Sequence, residues 1–196
     1  MSEKHWDAVY ESRDHREVSW YQEDPAFSLR LIAAHAATGS VIDVGAGTSS
    51  VADALVGRGY SVTVLDVAPT AIKALRQRLG DRVTYLVTDL LDWAPIESYD
   101  VWHDRAVFHF LTEPTTQAAY VDLAATAVRP GGAIVLATFA PDGPTACSGL
   151  PTTRHDADSL AALFSEHFTR VSSERESHPT PGGEFQPFTW VTLLRR

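Results

Sequence analysis

The sequence contains a single cysteine, Cys147, which excludes an intrachain disulfide and a zinc site built from cysteines. Positive charge is also scarce, since 16 lysines and arginines stand against 25 aspartates and glutamates and the net charge is -9. A field of that sign repels phosphate groups, so we expect neither nucleic acid nor a membrane surface as a partner. The eight histidines have neither the HxH nor the HxxxH spacing of a metal site, and we expect no metal.

Long apolar runs are missing as well. Every apolar stretch has the length of a strand, and residues 1–20 are charged where a signal peptide needs an apolar core. We therefore expect a cytoplasmic protein. The composition that remains, 44% hydrophobic and 21% charged residues, is that of a globular protein, and the length of 196 residues predicts one domain over 1–196.

Short apolar runs alternate with amphipathic stretches along most of the chain. This alternation predicts an α/β fold with a mostly parallel, doubly wound sheet. The last two predicted strands are joined by 178–184, a link too short for a helical crossover, so we expect an antiparallel C-terminal hairpin. The predicted strands are 40–45, 61–66, 82–89, 99–104, 133–139, 168–174 and 185–194, and the predicted helices are 3–12, 25–37, 49–58, 69–79, 114–128 and 156–165.

The segment VIDVGAGTSS (41–50) predicts a strand, a tight turn at Gly45 and Gly47, and a helix. Glycine permits both the turn and the close approach of a ligand to the backbone. Such a loop is weak evidence by itself, because a turn without a ligand explains it equally well. Three acids, Asp43, Asp66 and Asp89, strengthen the ligand interpretation because they lie near the carboxyl ends of successive predicted strands, where open α/β sheets bind ligands.

The residues around this loop indicate the charge of the ligand. A dinucleotide site favours a third glycine, but Ser50 stands at that position. Asp43 would repel an anionic pyrophosphate and suits a cation, such as a ligand with an ammonium and a sulfonium. Asp66 ends the next strand, where an acid accepts hydrogen bonds from a ribose diol. An NAD-dependent reductase is disfavoured by these features and by the lack of a recognisable tyrosine and lysine pair for hydride chemistry.

With these features the sequence resembles the class I S-adenosylmethionine-dependent methyltransferases over residues 38–140. The resemblance implies a Rossmann-like, doubly wound, seven-stranded sheet, with S-adenosylmethionine as methyl donor and S-adenosylhomocysteine as product. It also divides the chain into an N-terminal helical lid (1–37), a donor-binding core (38–140), and an acceptor loop with the C-terminal hairpin (141–196). The motifs that carry it are VIDVGAGTS (41–49), VTVLD (62–66), VTDLLDW (87–93), YDVWHDRAVFHFL (99–111) and RPGGAIVLATF (129–139).

The resemblance implies roles for individual residues in donor binding. Asp43 is expected to anchor the methionine end through the loop, Asp66 to hold the ribose hydroxyls, and Asp89 with Leu90 to contact the adenine. One departure is Ser49, which stands where the family often has a further glycine and alters the turn. The expected donor contacts are Asp43, Gly45, Ala46, Gly47, Asp66, Val67, Asp89, Leu90, Asp104 and Tyr21.

The candidate catalytic residues are Asp104, at the end of the fourth predicted strand, and His109, which follows that strand. Methyl transfer from a sulfonium is an in-line displacement, in which the enzyme mainly positions the nucleophile and excludes water. His109 is a candidate base or orienting group because an imidazole titrates near neutrality, and a histidine packed under a loop is an equal alternative. We interpret Asp104 as a ligand of the sulfonium or the methionine amine, in preference to a salt bridge with Arg105.

Aromatic residues before the first strand, chiefly Trp20 and Tyr21, are expected to form a lid, with Tyr21 next to the donor. A packed helix face is the alternative. The 140–154 loop leaves the sheet beside the donor site and should line the acceptor pocket, where Arg154 is a candidate partner for an acceptor carboxylate. The candidate acceptor-binding residues are Trp20, Phe108, Cys147 and Arg154.

These observations predict a methyltransferase that acts on a small-molecule acceptor. We expect no added recognition domain, and the acidic surface disfavours nucleic acid. One alternative is a protein lysine methyltransferase, suggested by the WDxxY pattern at 6–10. Another is a donor-binding protein without transfer activity.

Overall fold

The computed structural model describes residues 2–12 and 14–196. The helices are α1 (Glu3–Ser12), α2 (Ala26–His35), α3 (Val51–Gly57), α4 (Pro69–Leu79), α5 (Pro114–Ala127) and α6 (Ala157–Leu163). The strands are β1 (Ser40–Val44), β2 (Ser61–Asp66), β3 (Thr84–Val87), β4 (Tyr99–Arg105), β5 (Val128–Phe139), β6 (Ala146–Cys147), β7 (Leu150–Pro151), β8 (Phe168–Pro179) and β9 (Phe185–Arg195). Short 3-10 turns lie at Gly80–Arg82, Leu90–Asp92 and Phe108–Phe110.

Seven of the strands form one sheet in the order β3-β2-β1-β4-β5-β9-β8. Strands β1 to β5 are parallel, and β9 runs antiparallel to both of its neighbours, β5 and β8. The chain order reverses between β1 and β4, and ligands of open α/β sheets bind outside the carboxyl ends of strands at such a point. The structure confirms the predicted α/β class, the seven-stranded sheet and the antiparallel C-terminal hairpin.

Helices cover both faces of the sheet and bury its alternating apolar side chains. Residues of α2, α3 and α4 pack in one core cluster, which includes Ile32, Leu55 and Leu75. Residues of α5 and α6 pack in the other, around Tyr120 and the fully buried strand residue Trp102. No helix within 2–12 and 14–196 is both long enough and apolar enough to cross a membrane.

Helix α1 lies at the same end of the sheet as the glycine loop. Its buried Trp6 packs against Ala68 and Ala71, at the beginning of α4. Its Asp7 accepts a hydrogen bond from the backbone N–H of Thr70, at 2.9 Å, and so satisfies a free donor at that helix start. The N-terminal helix is thereby placed over the carboxyl end of β2.

Three segments differ from the sequence prediction. Strand β8 continues to Pro179 rather than ending at 174, because it pairs with β9 as far as the pair Pro179 and Phe185. This second part of β8 is largely polar and has no apolar alternation that would predict a strand. Strand β5 begins at Val128, which pairs with Tyr99, rather than at 133. The register of this pairing shifts between Tyr99 and Val101, and 129–132 lies within the strand. The 140–154 loop, expected to lack regular structure, contains the β6–β7 hairpin.

Candidate active site

The glycine loop after β1 depends on glycine at two positions. Gly45 has φ +63° and Gly47 has φ +54°, a region that residues with a Cβ rarely adopt. A Cβ on Gly45 would collide with the side chain of Val107, and one on Gly47 would collide with the hydroxyl of Tyr10. The loop is therefore packed closely between the turn after β4 and the N-terminal helix.

Asp66 fixes this loop to the end of β2. Its Oδ2 accepts a hydrogen bond from the N–H of Gly47 and its Oδ1 accepts one from the N–H of Ala68, each at 2.8 Å. Burial raises the pKa of Asp66 to about 6, and the two backbone bonds oppose that rise. A carboxylate oxygen accepts more than one hydrogen bond, so Asp66 can hold the loop and still receive a ligand hydroxyl.

A cavity of about 680 Å³ opens at this edge of the sheet. One part of its wall follows β1, β2 and β3 and comprises Gly45, Leu65, Asp66, Val67, Thr88 and Leu90. The other part is largely aromatic and comprises Trp6, Tyr10, Trp20, Phe110, Phe139 and Phe188, with Arg105, Ala106, Val107, Cys147 and Gln186. The largely apolar and aromatic lining, with a few charged and polar groups, is that of a small-molecule site.

A second cavity, of about 440 Å³, shares Trp20, Gly45 and Arg105 with the first and is also lined by Asp43. Asp43 Oδ1 lies 2.6 Å from Nδ1 of His103, whose Nε2 lies 2.9 Å from the hydroxyl of Ser28. All three side chains are buried. Asp43 Oδ2 has no hydrogen-bond partner among the described residues. One carboxylate oxygen is therefore held by the protein, and the other remains for a ligand.

The Ser28, His103 and Asp43 side chains follow the order of a hydrolase triad but have another use. Ser28 on α2 is fully buried beneath the sheet and no substrate reaches its hydroxyl. The chain of hydrogen bonds instead fixes the orientation of the Asp43 carboxylate. This role of His103 was not apparent from the sequence, although His103 lies on β4 directly opposite Asp43 in the parallel register.

Asp104 lies in a different place from the one expected. It is fully buried, lines neither cavity, and accepts hydrogen bonds from the N–H groups of Val107 and Phe108 and from the hydroxyl of Tyr120, at 2.8, 3.1 and 2.6 Å. Ala106 has φ 76°, so the chain turns back here and needs a carboxylate to satisfy its N–H groups. Asp104 thus holds the turn after β4, and Phe108 lies in the core beneath it.

His109 lies under the 140–154 loop and lines neither cavity. Its ring packs on Phe139 with centroids 4.4 Å apart, and its carbonyl accepts a hydrogen bond from the N–H of Thr153 at 2.7 Å. Burial lowers the pKa of His109 to about 3, and the nearby charge of Arg105 lowers it further. Such an imidazole is neutral at physiological pH and is a poor base there, so this geometry favours the packing alternative.

Replacing His109 by Gln should flatten the loss of stability on acidification. The unfolded chain binds a proton at His109 below its ordinary pKa of 6.5, whereas the folded chain does not until about pH 3. The stability due to neutral His109 is therefore present above pH 6.5 and lost as the pH falls, by an amount on the order of a few kcal/mol. Urea midpoints at neutral and mildly acidic pH measure this difference.

The exposed Thr115 provides the control for that experiment, since Thr115→Gln removes no titratable group and should leave the pH dependence of the urea midpoint unchanged. The same variants test the catalytic alternative. If His109 were the base, His109→Gln would remove the acidic limb of the pH profile of methyl transfer, and our interpretation would be wrong.

The aromatic residues of the N-terminal region divide between two surfaces. Trp20 lines both cavities and contacts Trp6 edge to face with ring centroids 5.9 Å apart. Tyr10 also lines the larger cavity. Tyr21, expected next to the donor, instead lines a surface groove with His178 and lies outside both cavities. The sequence placed Tyr21 next to the donor, whereas the aromatic residues of this region that line the larger cavity are Trp6, Tyr10 and Trp20.

The remaining predicted residues are spread between the cavities and the surface. Val67, Leu90 and Cys147 line the larger cavity, and Ala46 lines the smaller one. Asp89 caps the turn Leu90–Asp92 by accepting a hydrogen bond from the N–H of Leu91 at 3.0 Å. Arg154 is exposed and donates to the carbonyl of Pro141 at 3.0 Å, away from the cavities.

Known proteins resemble both the sequence and the fold. Residues 41–132 match a family model described as a methyltransferase domain. A protein solved in a study of the conversion of a disulfide bond into a thioacetal group during echinomycin biosynthesis is 26% identical, with a TM-score of 0.78 over 99% of this chain and 93% of that one. The 1,6-didemethyltoxoflavin-N1-methyltransferase of Burkholderia thailandensis, solved with 1,6-didemethyltoxoflavin and S-adenosylhomocysteine, is 24% identical, with a TM-score of 0.72 over 88% of this chain and 79% of that one.

A curated relative is similar over part of its length. The O-methyltransferase gsfB of Penicillium aethiopicum is 30% identical over 95 residues, which are 45% of this chain and 22% of that protein. The whole fold is similar to that of Rossmann-like methyltransferases, and residues 41–132 match the methyltransferase domain. Both findings confirm the resemblance to the class I S-adenosylmethionine-dependent methyltransferases that the motifs predicted.

Proposed function

We propose that this protein transfers the methyl group of S-adenosylmethionine to a small-molecule acceptor and releases S-adenosylhomocysteine. The observation that carries the proposal is the larger cavity, which joins an acid suited to a ribose diol with a wall of aromatic side chains. Its concave, largely apolar lining with a few polar and charged groups is typical of small-molecule sites. Methyltransferases of small molecules among the proteins of similar fold support the same acceptor class.

The residues present fit S-adenosylmethionine. Asp43 has a buried carboxylate oxygen without a hydrogen-bond partner among the described residues, as an ammonium group requires, and Gly45 lines both cavities without a side chain that would obstruct a ligand. Asp66 would accept hydrogen bonds from the ribose hydroxyls, and Val67 and Leu90 would contact the adenine. When bound, this cofactor supplies a methyl group on a positively charged sulfur, a carbon already activated for displacement.

The chain's own contribution to the reaction is mainly binding and exclusion of water. Trp6, Tyr10 and Trp20 cover the cavity from the N-terminal side, and Phe139 and Phe188 close it from β5 and β9. Aromatic faces attract a sulfonium by about 0.5 to 2 kcal/mol each, in addition to keeping water out. The acceptor atom is positioned between these walls, and the neutral His109 stays behind Phe139.

Calorimetric titration of the purified protein with S-adenosylmethionine and S-adenosylhomocysteine tests this function, with NADH as the negative control. We expect both adenosyl ligands to bind and NADH not to bind, because the buried Asp43 repels a pyrophosphate. Binding of NADH, or failure of both adenosyl ligands to bind a protein that melts cooperatively, would contradict the proposal.

Asp66→Asn should weaken S-adenosylhomocysteine binding about tenfold or more, because a charged acceptor of ribose hydrogen bonds is lost. For the same reason the affinity of the natural protein should fall as the pH drops below about 6, where Asp66 takes up a proton. The exposed Asp81 gives the matched control, and Asp81→Asn should bind normally. Equal affinities of the two variants would remove Asp66 from the donor site.

A further inference from the structure

Arg105, at the end of β4, is a buried cation whose hydrogen bonds are incomplete. Its side chain is 8% exposed and the residue lines both cavities. Nη1 donates to the carbonyl of Trp20 at 3.0 Å. Nε and Nη2 have no hydrogen-bond partner among the described residues. Two donors on the guanidinium are thus left without an acceptor.

These free donors are unfavourable unless something binds them. A buried donor without an acceptor costs about 1 to 3 kcal/mol, and more when it is charged. Burial lowers the pKa of Arg105 to about 10, so the group is still protonated at neutral pH. An acceptor that supplies oxygen atoms to Nε and Nη2 would recover this free energy.

Glu176 is the nearest acid, but it does not complete the hydrogen bonds of Arg105. Its Oε2 is 4.0 Å from Nε, too far for a hydrogen bond. Its two carboxylate oxygens accept hydrogen bonds from Trp190 Nε1 at 2.8 Å and Gln22 Nε2 at 2.9 Å. Glu176 therefore offsets part of the charge and leaves the guanidinium donors unfilled.

Arg105 lines both cavities, and its surroundings in the larger one indicate which ligand it would bind. Two of the residues that line this cavity are charged. Asp66 lies at the end of β2, and Arg105 contacts the aromatic wall. The guanidinium lies over the ring of Phe188, 4.7 Å from its centroid, and Cys147 lies close enough to influence its pKa. The cavity therefore has an acid on the side of the glycine loop and a cation on the side of β9.

We propose that Arg105 binds a carboxylate of the methyl acceptor, and that the acceptor is a small anion with a flat, apolar body. A guanidinium presents parallel N–H groups that match the two oxygens of a carboxylate. Both free nitrogens are shielded from solvent, so the carboxylate reaches them when the Trp20 segment moves. This inference rests on the proposed function, since it names the substrate class of the same cavity.

Matched pairs of a carboxylate and its amide test the proposal by calorimetry. The probes are benzoate with benzamide and phenylacetate with phenylacetamide, each titrated into the protein with and without saturating S-adenosylhomocysteine. We expect the carboxylates to bind about tenfold or more tightly than the amides, as charge-assisted bidentate pairs do. Arg105→Met should remove this preference and Arg105→Lys should keep part of it.

Two further variants control for folding and for general charge. Arg175 lies on β8, where it is exposed and paired with Asp142, so Arg175→Met should keep the preference. Arg105→Met combined with Glu176→Gln removes both charges together, so that no acid is left unpaired if the single variant melts early.

Three results would overturn the proposal. The first is a carboxylate preference that survives in a folded Arg105→Met protein, and the second is no binding of either carboxylate to the natural protein. The third is a loss of S-adenosylhomocysteine affinity in Arg105→Met, which would assign Arg105 to the methionine carboxylate of the donor. Failure of the natural protein to bind S-adenosylhomocysteine would instead contradict the proposed function. In that case the titrations of the carboxylates and amides in the absence of S-adenosylhomocysteine would still decide the role of Arg105.

Discussion

Asp43→Asn should lower the affinity for S-adenosylmethionine and S-adenosylhomocysteine by about 10- to 150-fold, because a buried charge-assisted hydrogen bond contributes about 1.5 to 3 kcal/mol. The His103 side chain holds one oxygen of Asp43 at 2.6 Å and leaves the other oxygen without a partner. The amide keeps an oxygen for His103 but turns an uncharged NH₂ group toward the ligand ammonium. Calorimetry measures the two affinities directly.

Two companion variants separate donor binding from folding. Asp81→Asn changes an exposed acid and should bind normally. His103→Gln removes the group that orients Asp43, so it should raise the KM for the donor while the kcat at saturation changes less. A normal donor affinity in Asp43→Asn would show that the unpartnered oxygen does not face the ligand.

Asp104→Ala should destabilise the protein by roughly 3–5 kcal/mol, a large share of the 5–15 kcal/mol that holds an ordinary domain together. The substitution leaves three buried donors without an acceptor: the N–H groups of Val107 and Phe108 and the hydroxyl of Tyr120. It also opens a void beneath the turn after β4. Urea unfolding at neutral pH measures the loss.

Asp104→Asn distinguishes this structural role from the donor contact that the sequence suggested. The amide oxygen still accepts hydrogen bonds from part of this network, so the loss of stability should be smaller, and S-adenosylhomocysteine affinity should stay close to normal. A fully stable Asp104→Asn protein with weak donor binding would restore the original interpretation. Asp122→Ala, at an exposed position on α5, provides the control for stability.

The fold was predictable because burial on both faces makes parallel strands apolar and continuous in sequence. Strands β1 and β2 begin and end within a residue of their predicted bounds. The errors lie where tertiary pairing decides the structure instead. The second half of β8 is polar, and only its long ladder with β9 makes it a strand.

The residues of the candidate site were predictable where a local pattern places them at the carboxyl end of a strand. The glycine loop and Asp66 belong to such a pattern. Arg105 was missed because its significance depends on two unfilled hydrogen bonds and on Phe188, a residue far away in sequence. Asp104 was assigned to the ligand because a strand end does not reveal that the chain will turn back over its carboxylate.

The position of β9 has a consequence for the order in which the protein folds. Strand β8 is synthesised before β9 but has no partner in the sheet other than β9, which must insert between β8 and β5. The edge of β5 therefore stays uncovered until β9 arrives, and exposed strand edges of this kind favour association with other chains. Because Phe188 belongs to β9, the aromatic side of the cavity is completed in the same step that closes the sheet.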